Sequence, residues 1–495
     1  MNNFIIVPVL IIYTICTIGL LIYGLNCYIM LTLFARRRKV AKSALGDMQK
    51  RQGDLSKRKD MPYVTTQIAV YNEINVVERV MCAACKMKYP AGKHEIQVLD
   101  DSTDETYVLT KRLAAELRAE GHDIKVLHRD ERIGYKAGAL DIGVKQAKGE
   151  FITVFDADFI PPEDYLLSSV PFLMEDNKVG FVQARWGHLN RRSSMLTRVQ
   201  SIGIDGHFII EQIARNWNGL FMNFNGTAGI WRKEAIETSG GWQWETLTED
   251  LDLSYRVQFN GWTTMYLPNL IVPAELPENI TAFRNQQFRW AKGSVQTLIK
   301  LFPQLIKAKV SLFKKFQAII HMGGYIVHPL MLTLSLLALP VLVISMNFNP
   351  PKWIFAILAV PLALSVIAPS TMYVVAQKSA HKHWLSRIAL MPALMVIGVG
   401  LAISNTKAIW QAVIGHESEF VRTPKSGENV IKDYKVKLPF IAILEIAIGL
   451  YCAYSLSTFI GTGHFLSSFF IAIHTAGFLF IGLLTFAHSF GFSKK

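Results

Sequence analysis

The chain is written for two solvents in turn. From about Arg36 to Arg289 acids and bases are mixed as in a soluble α/β protein, while long apolar runs stand before and after that block. An apolar run of roughly 20 residues is enough to cross a bilayer. The polar block must therefore fold as a unit tethered to lipid at both ends. Composition agrees, since only 18% of the 495 residues are charged, against roughly 25% in a soluble protein. A length of 495 residues also implies two or three units rather than one.

The net charge of +14 raises the question of nucleic acid. A nucleic-acid binder gathers its bases on a groove-reading element. Here Arg36, Arg37, Arg38 and Lys39 follow the first apolar run, and Lys378, Lys382, Lys494 and Lys495 flank later ones. That is the positive-inside pattern of a membrane protein, and no nucleic-acid partner is expected. Residues Phe4 to Phe34 lack a basic leader and are too long for a signal peptide. They read as an uncleaved anchor over 1–35, with the N-terminus outside. A basic linker, 36–60, with helical portions leads into a cytoplasmic domain. The expected location is a plasma or inner membrane. Cys82 and Cys85 form a lone C-x-x-C on a predicted helix, and no second pair exists to complete a zinc site.

Within residues 61–294, β-rich runs at Tyr63–Val70, Glu95–Leu99, Ile124–Leu127 and Phe151–Phe155 alternate with helical stretches such as Thr106–Ala119. This alternation predicts a mostly parallel sheet, whose ligands bind beyond the C-terminal strand ends. After Trp290 the pattern changes. An interfacial helix is expected over 295–316. Two spans follow in 317–383 (about Ala318–Ile344 and Trp353–Val375), and two more in 438–495 (about Pro439–Phe459 and Phe465–Phe486). The run Trp384–Ala402 has bases at both ends: Lys378 and Lys382 before it, Lys407 and Arg422 after it. Charge parity therefore predicts an interfacial or re-entrant helix continuing through Trp410 in 384–437, and five spans in total.

Polar clusters stand where such a sheet binds ligands. Tyr71-Asn72-Glu73 follows the first strand and Asp100-Asp101-Ser102 the second. A carboxylate there accepts from a nucleobase N–H or a ribose hydroxyl; Asp101 or Ser102 equally suits a helix N-cap. Asp156-Ala157-Asp158 follows the fourth strand, and residues i and i+2 of an extended chain face one side. Two converging carboxylates suit Mg2+ or Mn2+, with waters and phosphates completing the shell, although such triplets also occur in plain surface turns. Thr248-Glu249-Asp250 can act as a general base for a sugar hydroxyl, and it also fits the acidic first turn of the helix Leu251–Gln258. In Gln286-Gln287-Phe288-Arg289-Trp290, Arg289 can fork onto a diphosphate and Trp290 offers a sugar a flat face. The same pair also serves as an interfacial anchor.

In this order the motifs resemble those of processive family-2 glycosyltransferases, the group of cellulose, hyaluronan and chitin synthases. That group shares a D, D-x-D, T/S-E-D, Q-x-x-R-W series. Phe224-Asn225-Gly226-Thr227-Ala228-Gly229-Ile230-Trp231-Arg232 is similar to the plant cellulose synthase-like A and C groups and their bacterial relatives, which make β-1,4-mannan, glucomannan or glucan. The resemblance implies an α/β GT-A catalytic domain over 61–294 and an α-helical channel region with interfacial helices.

It also implies roles. Tyr71, Glu73, Asp101 and Lys136 would bind the nucleotide, and Asp156 and Asp158 the metal. Asp250, with Glu249 beside it, would be catalytic. Gln286, Arg289 and Trp290 would line the diphosphate and acceptor site, with Asn225, Gly226 and Thr227 at the acceptor sugar. Phe420-Val421-Arg422-Thr423-Pro424-Lys425 resembles the gating loop F-x-V-T-x-K and departs from it at Arg422; Thr423 and Lys425 would touch the diphosphate. No Arg-rich cyclic-di-GMP-binding domain is expected after the last span.

The reading is thus an inverting β-glycan synthase that extends and secretes a polysaccharide. Its partners would be a sugar nucleotide, the growing polymer and membrane lipid. UDP-glucose is favoured as donor because more of the wider family uses UDP donors; GDP-mannose is the other candidate. The alternative is a lipid glycosyltransferase of the ceramide glucosyltransferase kind. A third reading, an inert exporter subunit, conflicts with the full set of acidic motifs.

Overall fold

A computed structural model describes residues 3–55, 60–348, 352–416 and 440–489. The predicted anchor and linker are one helix, Asn3–Leu55, because no glycine–proline break separates the apolar run from the basic one.

The polar block is built on a seven-stranded sheet. Its strands are β1 (Val64–Val70), β2 (His94–Asp100), β3 (Ile124–His128), β4 (Phe151–Asp156), β5 (Val179–His188), β6 (Gly229–Arg232) and β7 (Thr263–Ala274), in the order β3-β2-β1-β4-β6-β5-β7. β1 to β4 pair in parallel, as the alternation predicts. β6 runs antiparallel between β4 and β5, so the sheet is the mixed one of a GT-A domain. Its central strands are buried on both faces and read as near-continuous apolar runs. The polar residues among them pair internally: Thr65 Oγ1 donates to Glu95 at 2.7 Å, and Gln67 Nε2 donates to Gln97 at 3.0 Å.

Register decides what the sheet presents. Val70 pairs with Asp100 and Ala69 with Asp156, so β1, β2 and β4 end together. The motifs that follow them therefore share one edge. Behind β6, fully buried Trp231 packs on Phe181, Phe224 and Trp242. Truncating such a side chain to alanine costs about 3–5 kcal/mol.

The membrane half departs from expectation in its joints. The predicted interfacial helix over 295–316 is two helices. One, Ile280–Lys307, starts inside the catalytic block, where the Asn279 side chain caps it by accepting from Ala282 N–H. The other, Leu312–Met322, is capped by Ser311. The Gln286–Trp290 motif thus lies within a helix that crosses the predicted boundary at 294. The next span starts at Gly324 rather than Ala318, because Gly323 ends the capped helix.

Among the described residues, five helices are long and apolar enough to cross a membrane: Phe4–Val40, Gly324–Asn347, Val360–Ala380, Ile441–Gly461 and Ser467–Ala487. Trp384–Gly400 and Ala402–Val413 form a pair bent by 41°, which would make a sixth if it is one broken span. The helix Ile280–Lys307 is pinned to the last two spans by buried Arg284, whose Nη2 donates to Glu445 at 2.8 Å and to Thr485 at 2.5 Å.

Candidate active site

The loops after β1 and β2 are tied to each other. Asn72 adopts a left-handed backbone, φ 53°, which turns its N–H to Ser102 Oγ at 2.9 Å, while its Oδ1 accepts from Thr103 N–H. Strained non-glycine backbone of this kind concentrates at functional sites. Neither Asp101 nor Ser102 caps a helix, since the following helix, Thr106–Ala119, has Glu105 at its N-cap. Asp101 instead takes a two-pronged grip from Arg129, with Nε at 2.7 Å and Nη2 at 2.5 Å. The Arg132 guanidinium lies 3.4 Å from the centre of the Tyr71 ring. Tyr71, Glu73, Asp101 and Arg132 line one cavity.

Next to them, Lys136 reaches from the helix Tyr135–Lys145 to Asp156 Oδ1 at 2.5 Å and to the Gly226 carbonyl at 2.7 Å. Thr227 differs from its expected place at the acceptor. It is fully buried, and its hydroxyl accepts from Asp156 N–H at 2.9 Å, bracing the backbone behind the carboxylate.

Asp250 opens the helix Glu249–Phe259 after Thr248. Its Oδ1 accepts from Leu251 N–H at 2.8 Å. Its Oδ2 faces Gly226, whose φ of 79° favours glycine and where an added Cβ would lie 3.0 Å from that oxygen. The helix Ile280–Lys307 packs on Thr248 at Gly293, where a Cβ would lie within 2.8 Å of the Thr248 backbone nitrogen. That close approach brings Gln286, Arg289 and Trp290 beside Asp250.

Two cavities meet here. The smaller, about 180 Å³, is lined by Tyr71, Glu73, Asp101, Lys136, Asp156, Asp158, Asn225, Gly226, Glu249, Asp250, Gln286, Arg289 and Trp290. Every expected site residue among the described ones therefore lines it except Thr227. The larger, about 1050 Å³, extends among the apolar helices and also touches Asn225, Asp250, Gln286 and Trp290. Asp250 thus sits where the two join. Thr423 and Lys425 lie outside the described residues.

Charge is concentrated at the junction. Burial and the adjoining Glu249 carboxylate push Asp250 up to about 7, and burial likewise raises Glu249. Burial would lower Lys136, but Asp156, Glu249 and Asp250 outweigh it and hold its pKa above the usual value. Burial lowers Arg289 against the pull of Glu249, Asp156, Asp250 and Asp158. Perturbed groups of both signs in one cleft mark a functional site.

A divalent cation fits these residues. Asp156 and Asp158 present hard carboxylate oxygens to one cavity wall. Among the described residues no group of three His, Cys, Asp or Glu could hold a metal alone. The remaining ligands would be waters and phosphates, as Mg2+ and Mn2+ prefer.

Sequence reasoning missed Arg129 and Arg132, although both follow β3 as Asp101 follows β2, and the same strand-end argument selects them. It also missed His207, on a π-helical turn, Gly206–Glu211. Such turns interrupt helices at functional sites. His207 contacts Asn225 and Glu211 at 3.0 and 2.9 Å, and its i, i+4 spacing from Glu211 was readable.

Residues 62–293 match the family model described as glycosyltransferase-like family 2. The chain is 44% identical to a probable glucomannan 4-β-mannosyltransferase of Oryza sativa subsp. japonica, over 52% of this chain and 45% of that protein. It is 40% identical to a glucomannan 4-β-mannosyltransferase of Arabidopsis thaliana, over 59% and 54%. It spans about half the length of these curated relatives. A longer match, 33% identical, to another Arabidopsis thaliana glucomannan 4-β-mannosyltransferase covers 86% of this chain and 82% of that one. A Pyrobaculum calidifontis mannosyltransferase, solved with GDP-mannose and Mn2+, is 21% identical. It has a TM-score of 0.48, over 79% of this chain and 99% of its own.

Proposed function

The chain belongs to glycosyltransferase family 2, and on that premise we propose that it transfers mannosyl units from a sugar nucleotide to a growing 4-β-linked mannan or glucomannan. The observation that carries this is the position of Asp250 at the junction of the two cavities. One cavity holds the groups suited to a nucleotide diphosphate. The other, about 1050 Å³, is roomy enough for sugar units and runs among helices suited to a membrane.

Tyr71, Arg132 and Asp101 receive the nucleoside end. Lys136 and Arg289 face the diphosphate and offset its charge as it leaves. Asp250 Oδ2 takes the proton of the acceptor hydroxyl. That oxygen then attacks the anomeric carbon opposite the leaving group, and one displacement turns an α-linked donor into a β-linked product. Trp290 and Asn225 hold the acceptor end in register, which lowers the entropic part of the barrier. A divalent cation held by Asp156 and Asp158 would supply further neutralisation of the diphosphate.

The names of the relatives support a mannosyl donor over the UDP-glucose favoured from sequence, so GDP-mannose is the donor proposed. The larger cavity supports passage of the product toward the far side of the membrane, with the catalytic block cytoplasmic. Purified enzyme offered labelled GDP-mannose, UDP-glucose or UDP-N-acetylglucosamine should build a long β-1,4-linked polymer from GDP-mannose. A single sugar on a lipid would overturn the polymerase reading, and a polymer made only from UDP-glucose would overturn the mannosyl one.

A further inference from the structure

One charged cluster lies outside the site. Asp205, at the end of the helix Met195–Asp205, is buried, with a relative exposure of 1%. Its carboxylate is met from β5, from the end of the helix Lys352–Ala380 and from the helix Trp384–Ile388. His188 Nε2 lies at 3.1 Å, His381 Nε2 at 2.8 Å, Arg387 Nη1 at 3.2 Å and Arg185 Nη2 at 3.6 Å, and Gln377 Nε2 donates at 3.1 Å.

Charge does not stop at balance there. Arg185, Arg191 and Arg192 are all close enough to Arg387 to repel it, and Arg192 and Arg198 act likewise on Arg191. Arg185 and Arg387 thus share one carboxylate, and three further guanidinium groups lie beside them. Glu278 accepts from Asn190. Among the described residues Arg192 and Arg198 make no ion pair, and both are exposed. Arg185 Nε is buried without a partner among the described residues. The exposed arginines leave positive charge open to an anion from outside the chain.

The position says which anion. The candidate span Val360–Ala380 ends one residue before His381, and the bent pair begins at Trp384, so the cluster sits at a membrane rim. Apolar side chains in the same segments are exposed: Leu189 at 40%, Met195 at 54% and Leu385 at 64%. A site for a free anion has no use for them, whereas a surface that meets lipid does. Basic pockets between spanning helices bind anionic headgroups. We propose that Arg191, Arg192, Arg198 and Arg387 form a binding site for the phosphate headgroup of an anionic lipid, in the leaflet next to the catalytic block.

The test uses the full chain, delipidated and returned to phosphatidylcholine nanodiscs holding a small fraction of labelled phosphatidylglycerol. Retention of phosphatidylglycerol should fall about five-fold for each arginine removed in R192A and R192A/R198A. R192K should retain the lipid. K307A/K309A, which removes exposed charge at the end of the helix Ile280–Lys307, should leave retention nearly unchanged. Asp205 keeps its own partners in all these variants, and far-UV circular dichroism and thermal midpoint should match the parent. Equal losses in R192A/R198A and K307A/K309A would overturn the site in favour of general surface charge. Saturable binding of inorganic phosphate that displaces the labelled lipid would overturn the lipid as its ligand.

Discussion

The Asn225 side-chain nitrogen lies 3.0 Å from His207 Nε2. Gln212 Nε2 donates to Asn225 Oδ1 at 2.6 Å, so the amide nitrogen is the side that faces the ring. Nε2 must then accept, which leaves Nδ1 to donate to Glu211 at 2.9 Å. The tautomer of a histidine thus fixes the orientation of a carboxamide that lines both cavities. Replacing His207 by Ala should raise KM for an oligosaccharide acceptor about five-fold, the worth of one hydrogen bond. Donor hydrolysis without acceptor should stay near the parent rate. Steady-state kinetics with separate donor and acceptor titrations checks the split.

Asp250 works as a base only when ionised, and burial beside Glu249 sets its pKa at about 7. Transfer should therefore fall tenfold per pH unit below about 7 and level off above it. E249Q removes the neighbouring charge and should move that midpoint downward. D250N should lower turnover by a factor of about 10² to 10⁴ while leaving nucleotide binding intact. The sign for stability is opposite. A carboxyl raised from 3.8 in the unfolded chain loses stabilisation as pH climbs to about 7. The D250N protein should then melt higher than the parent at pH 8. A lower melting point there would refute the raised pKa.

Gly226 stands at φ 79°, facing Asp250 Oδ2. Alanine there pays a left-handed backbone penalty of about 1–2 kcal/mol and crowds the base. G226A should fold with a slightly lower melting point and lose at least about tenfold in turnover. Unchanged turnover would show that Oδ2 does not take the proton.

Chelation should abolish transfer, and Mn2+ or Mg2+ should restore it. In the presence of a nucleoside diphosphate, Asp158→Asn should weaken Mn2+ binding measured by electron paramagnetic resonance by about tenfold or more. Equal Mn2+ affinity in the variant would remove Asp158 from the metal site.

The strand ends and their acids were legible because period and burial set them: β1, β2 and β4 are short apolar runs followed directly by polar residues. Asp101 and Asp156 could be found that way, and Asp250 through the Thr248-Glu249-Asp250 motif at a helix start. Arg129 and Arg132 obey the same rule but look like ordinary loop charges until their partners are seen. His207 could not be weighed from sequence, since its importance rests on a π-turn that aims it at Asn225 across 18 residues. Thr227 was legible as near the acceptor but not as a brace, because its role depends on which way one hydroxyl points. The helix boundary at 294 was misread for a related reason. Hydropathy changes there, but nothing in the backbone breaks, and Gly293 is used for contact with Thr248 rather than for a bend.

That unbroken helix limits how the molecule can be divided. Arg289 and Trp290 ride on the same rod as Arg284, which is locked to Glu445 and Thr485 in the last two spans. A water-soluble fragment ending at residue 294 would keep the motif letters and lose the splint that holds them in place. The smallest unit able to complete this site includes its C-terminal hairpin of membrane helices.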